Sequence, residues 1–180
     1  MSTRIAVVVG SIRKDSFNCQ FAEALTRLAP TDVGFNFIQI DDLPLYDQDD
    51  DGNPAPQVTR LRDEIKAADG VLFVTPEYNR SFPGVLKNAI DHASRPWGKS
   101  VWAGKPAAVC GVSVGAIGTA LAQQHLRNVI AYLNMPTLAG HEMFIQWKEG
   151  LVENGDIGPA SKAFVQGFVD AFIAWVKKNS

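Results

Sequence analysis

The sequence predicts an α/β fold: a doubly wound sheet of five parallel strands in the order 2-1-3-4-5, with helices on both faces. Two patterns predict it. Short runs that are almost uninterruptedly apolar alternate with segments whose apolar residues recur at helical spacing, and this β-α alternation repeats five times. Strands that are apolar on both faces suit a parallel sheet covered by helices, whereas a one-sided antiparallel sheet would alternate apolar with polar. In such a sheet the order 2-1-3-4-5 is a common solution, and ligands bind beyond the carboxyl ends of the strands.

The first strand is expected over Arg4 to Val9, followed by a helix over Phe17 to Leu28 on which Phe17, Phe21, Ala24, Leu25 and Leu28 share a face. A second strand over Phe35 to Ile40 leads through Asp47 to Pro56, a turn-forming, solvated loop, into a helix marked by Val58, Leu61, Ile65 and Ala68. Gly70 to Thr75 reads as the third strand. Val85, Leu86, Ala89, Ile90 and Ala93 mark the helix after it, with Pro83 near its first turn, where a missing N–H costs least, and Ser81 as its expected N-cap. Pro106 to Val112 is the fourth strand. Ile117, Leu121, Leu126, Val129, Ile130 and Leu133 form the next helix, closed by Pro136. A weaker fifth strand over Gly140 to Ile145 precedes a last helix striped by Phe164, Phe168, Phe172 and Val176.

At 180 residues, 46% hydrophobic and 20% charged, the chain can bury a sizeable core without disulfides or metals, and one domain over residues 1–180 is expected. A net charge of -2 with scattered Lys and Arg gives no reason to expect a nucleic-acid partner. No apolar stretch approaches a bilayer span or a signal-peptide core, so no membrane partner and a cytoplasmic protein are expected. The two cysteines, Cys19 and Cys110, form no CxxC and no metal-ligand spacing.

Chemistry is expected in the loops after strands one, three and four. The first, Gly10 to Asn18, collects Ser11, Arg13, Lys14, Ser16 and Asn18 at a helix N-terminus. There, free backbone N–H groups and a cation suit a phosphate, although Ser16 or Asp15 could simply cap the helix. It is neither a Walker A loop nor a G-x-G-x-x-G fingerprint. The second, Thr75 to Gly84, offers the flat face of Tyr78 and backbone N–H groups to a planar ring, or else Tyr78 is a surface turn residue. The third, Gly111 to Gly118, is rich in small residues that allow a ligand, or a packed helix, to come close.

Three stretches, GSIRKDSFN at 10–18, TPEYNRSFPGVLKNAIDHASRP at 75–96 and GVSVGAIGTALAQQHLRNVI at 111–130, resemble the NADPH-dependent FMN reductase family. The resemblance implies a flavodoxin-like fold and FMN as cofactor. It further implies that Ser11, Arg13, Ser16, Phe17 and Asn18 hold the phosphate and ribityl chain. Pro76, Glu77, Tyr78 and Asn79 would border the isoalloxazine, and Ser113 and Gly115 would close the other side. It also implies a homodimer or homotetramer, with the helix through His125, Leu126 and Arg127 in its assembly. The expected reaction is ping-pong hydride transfer from NADPH or NADH through the flavin to a small acceptor, a quinone first, with flavins, azo dyes or chromate as others. No compact Ser-His-Asp or Cys-His set is visible, so no side chain is assigned as catalyst. Two other readings remain: a flavodoxin-type electron carrier acting through a protein partner, and a flavin-free interaction domain on the same fold.

Overall fold

The computed structural model describes residues 3–180. Five strands, β1 (Thr3–Val9), β2 (Val33–Phe37), β3 (Gly70–Val74), β4 (Ala107–Ser113) and β5 (Phe144–Gln146), form one sheet in the order β2-β1-β3-β4-β5, every pair parallel. This is the expected flavodoxin-like order.

Each central strand divides its side chains between two cores. Val7, Leu72 and Cys110 face α1 (Phe17–Thr26) and α5 (Pro159–Asn179), where Phe21, Leu25, Phe168 and Phe172 meet them. Val8, Phe73 and Val109 face the opposite way, onto Leu61, Ile65, Leu86, Ile90, Leu126 and Ile130 of α2 (Pro56–Ala67), α3 (Gly84–Ala93) and α4 (Ala120–Tyr132). Two-sided burial is why these strands read as unbroken apolar runs. Trp102, fully buried in the connection before β4, donates from Nε1 to the Ile90 carbonyl at 3.0 Å and so keeps its one polar atom paired.

Several boundaries differ from expectation, each for a physical reason. The second strand pairs over Val33–Phe37 rather than 35–40: after one further bond, from Ile38 N–H to the Val7 carbonyl, the chain leaves the sheet. Ile38 and Ile40 are then buried as core residues rather than as strand. The fifth strand starts only at Phe144, because Gly140 takes φ +77° and turns the chain. Helix α4 begins at Ala120, and Ile117 stands exposed before it. On α5 the buried stripe runs through Val165, Phe168, Val169, Phe172, Ile173 and Val176, and Phe164 faces out. The expected loop at 47–56 contains one 3-10 turn over Gln48–Gly52, capped by Asp47. A small hairpin, β6 (Val152–Glu153) with β7 (Asp156–Ile157), lies outside the expected elements; its Asn154-Gly155 turn has both residues at positive φ, the type I′ preference of Asn-Gly.

Candidate active site

The order β2-β1-β3-β4-β5 makes β1, β3 and β4 neighbours, so the loops leaving their carboxyl ends meet along one rim. The backbone ties them there: Gly10 N–H donates to the Val74 carbonyl at 2.8 Å and Thr75 N–H to the Cys110 carbonyl at 2.9 Å.

In the β1–α1 loop, Ser16 is the N-cap of α1, its Oγ accepting from Cys19 N–H at 3.2 Å. The capping role and the anion site coexist. The cap leaves the other first-turn donors open, and among the described residues the N–H groups of Ser11 to Asp15, Phe17 and Asn18 meet no protein acceptor. No acidic residue sits in the first turn, and among the described residues no carboxylate pairs with Arg13 or Lys14. A helix N-terminus with unfilled donors and unneutralised cations attracts an anion.

Two residues of this loop are engaged differently from expectation. The Asn18 side chain, buried, exchanges a pair of bonds with the backbone of Val112 in β4, so only its backbone N–H faces the loop. The Phe17 ring stacks on Trp147, centroids 4.4 Å apart, while the Arg13 guanidinium lies 4.9 Å over the same ring. Phe17 thus orients Arg13 rather than presenting an open face. Trp147 escaped the sequence reading because nothing in the sequence ties it to residue 17.

In the β3–α3 loop, Tyr78 and Ser81 close a two-residue hairpin turn through Tyr78 N–H to Ser81 carbonyl, 2.8 Å, and Ser81 N–H to Tyr78 carbonyl, 3.0 Å. Asn79 and Arg80 occupy its tip with φ 51° and 67°, the left-handed pair of a type I′ turn. Ser81 is therefore a turn residue, and Pro83 takes the N-cap position of α3 expected for it. Pro76 is buried, Tyr78 and Asn79 are exposed, and the Glu77 carboxylate is bonded to the first turn of α4.

At the end of β4 and in the loop after it the glycines divide. A Cβ on Gly111 would collide with the Thr75 carbonyl oxygen, and one on Gly118, at φ +58°, would lie 2.6 Å from Ile145 N; both serve packing within the chain. A Cβ on Gly115 meets only Ser113 Oγ, at 3.5 Å, so Gly115 is the open position. Ser113 Oγ accepts from Gly115 N–H at 3.1 Å.

All three loops expose apolar side chains at this rim: Ile12, Tyr78, and Val114 with Ile117. Free anion-binding donors beside an apolar rim fit a ligand with a phosphate at one end and a flat ring at the other. The open first-turn donors with Arg13 and Lys14 suit the anionic phosphate of FMN, and the exposed apolar residues suit its ring. A concavity of about 780 Å³ lies elsewhere, between α3 and α4, lined by Ile90, Trp97, Val129 and Tyr132, and contains none of these loop residues.

The remaining titratable groups add little at the rim. Burial pushes the Cys110 thiol far up, out of reach of its thiolate form. His92 is buried on α3, with Nε2 2.9 Å from the Pro44 carbonyl, a structural tie to the loop after β2. Among the described residues, no His, Cys, Asp or Glu cluster could hold a metal and no helix is long and apolar enough to cross a membrane.

The model of the NADPH-dependent FMN reductases matches residues 3–149. The chain is 55% identical over 180 residues to a 2-hydroxy-1,4-benzoquinone reductase of a Burkholderia species, covering 98% of both chains. To a quinone reductase of Pseudomonas putida it is 48% identical, over 97% of this chain and 95% of the relative. The solved structure of FerB, a flavoenzyme NAD(P)H:(acceptor) oxidoreductase from Paracoccus denitrificans, superposes with a TM-score of 0.94 at 45% identity, covering 98% of both chains. The chain belongs to the NADPH-dependent FMN reductase family.

Proposed function

We propose that this protein is an NAD(P)H-dependent quinone reductase, with benzoquinones as its substrate class, working as a homo-oligomer in the cytoplasm and binding FMN within one unit, residues 1–180. The observation that carries the reading is the open donor set of the β1–α1 loop beside the apolar rim, together with family membership and the quinone reductases among its close relatives. When bound there, FMN would supply the redox chemistry, the passage of hydride from NADPH or NADH to the acceptor.

The chain's own residues bind and orient. Ser11, Ser16 and the backbone N–H groups through Asn18 hold the phosphate, and Arg13, steered by its seat over Phe17, neutralises it. Pro76, Glu77, Tyr78 and Asn79 form one border of the ring site, with Glu77 contributing backbone rather than carboxylate. Ser113 and the open Gly115 form the other. Ile12, Val114 and Ile117 shield the ring from water.

Homo-oligomerisation is supported by the α3–α4 groove, whose rim leaves Trp97 and Tyr132 77% and 75% exposed beside the apolar Ile90 and Val129.

The test is an absorbance titration of the purified protein with FMN, then anaerobic NADPH and NADH, then a benzoquinone. Flavin bands that bleach with a nucleotide and return with the quinone are expected. Bound flavin that resists both nucleotides points to the electron carrier instead, and no flavin binding overturns the reading.

A further inference from the structure

The turn that carries Tyr78 is fastened to α4 on both sides. On the leading side, one oxygen of the Glu77 carboxylate accepts from the N–H groups of Leu121 and Ala122, at 3.1 Å each. On the trailing side, Ser81 Oγ lies 3.1 Å from His125 Nδ1, one helical turn further along α4. Between these two attachments the turn is closed by its own pair of backbone bonds. It is a small rigid body held at two points.

Helix α4 has no cap of its own. Thr119 stands at its N-cap with φ 70° and makes no capping bond; its hydroxyl accepts from Gln123 Nε2 instead. The first N–H groups of a helix need an acceptor, and an anionic one also gains from the helix dipole. Glu77 supplies it from a different loop. The Glu77 side chain is only 10% exposed, so the contact is shielded from water, and its second oxygen lies 3.5 Å from Arg80 of the same turn. A capping residue placed 44 positions away in sequence sets the geometry of two loops at once.

We propose that Glu77 and His125 are positioning residues: together they fix the Tyr78 turn on α4 and so preset the wall of the flavin site that Tyr78 forms. The inference rests on the reading that Tyr78 borders the ring.

The test uses the full-length protein, with and without FMN. Hydrogen exchange at the Tyr78 and Ser81 amides reports opening of the turn, because both amides are bonded only across it. His125→Ala is expected to speed this exchange about three- to tenfold, the scale of one lost hydrogen bond, and Glu77→Ala by more because it loses two, each raising the acceptor KM by a similar factor with kcat within about twofold. Glu77→Gln, which keeps an acceptor oxygen of the same reach, is expected to restore most of both. His125→Ala, at an exposed side chain, gives the answer even if Glu77→Ala fails to fold. Wild-type exchange in the folded Ala variants overturns the clamp, as does faster exchange with an unmoved KM while Tyr78→Ala raises it. If Tyr78→Ala itself leaves flavin binding and turnover untouched, the reading of Tyr78 fails, and the clamp's role in the site fails with it.

Discussion

Asn18 and Val112 bind each other as two strands would: the Val112 N–H donates to Asn18 Oδ1 and Asn18 Nδ2 donates to the Val112 carbonyl, both at 2.9 Å. A side chain on α1 thereby imitates a neighbouring strand for β4, and joins the β1–α1 loop to the end of β4. Asn18→Ala strands both Val112 groups in a buried place, where each unmade bond costs about 1 to 3 kcal/mol. The apoprotein is expected to lose about 2 to 4 kcal/mol in urea denaturation. A loss below about 0.5 kcal/mol would show that the pair contributes nothing to stability.

Arg13 is exposed and makes no ion pair among the described residues, so its removal acts on the ligand rather than on the fold. Arg13→Ala is expected to weaken FMN binding by about 1.5 to 3 kcal/mol, the range of a charge-assisted bond, with unfolding unchanged. Fluorescence titration of the apoprotein measures it, and wild-type affinity removes Arg13 from the site.

The glycines at the end of β4 and in the loop after it separate packing from binding. Gly111→Ala drives a methyl into the Thr75 carbonyl between two central strands, and a cost above about 3 kcal/mol is expected. Gly115→Ala meets open space, so stability should stay within about 0.5 kcal/mol while FMN affinity falls. Equal effects of the two substitutions on stability would contradict this division.

Cys110 is buried and its thiol is pushed strongly upward by desolvation, whereas Cys19 is half-buried in the first turn of α1. A thiol reagent should label Cys19 alone in the native protein and both cysteines after unfolding. The same burial gives a sign to the alkaline limb of stability. With the folded thiol above its unfolded value, the contribution is fully present below pH about 8.5 and falls above it as the unfolded chain releases the proton, by about 1.4 kcal/mol per pH unit. Labelling of Cys110 in the folded protein, or stability rising through that window in a Cys19→Ala variant, would falsify this account.

Much of the fold was legible because its strands are buried on both faces. Val7 and Val8 face different cores, and that two-sidedness is written directly as an apolar run. The edges were less legible: Ile38 and Ile40 are apolar for burial, not for pairing, and periodicity does not distinguish the two. Ser81 looked like a cap because its residue type suits one, but the turn with Tyr78 claims it.

What the sequence by itself determined is the set of local rules: the strand and helix periods, the three loops after β1, β3 and β4, and the residue types suited to an anion and a flat ring. Those properties depend on neighbours within a few positions. Only the tertiary structure decided what each side chain does there. It turned Asn18 to Val112, Phe17 to Trp147, and Glu77 to Leu121 and Ala122, and it packed the backbone of Gly111 against Thr75, leaving backbone donors, Arg13, Tyr78 and Gly115 open at the rim. The partners lie between 36 and 130 positions apart, and a hydrogen bond or a stacked ring depends on distance in space, which the order of residues does not contain.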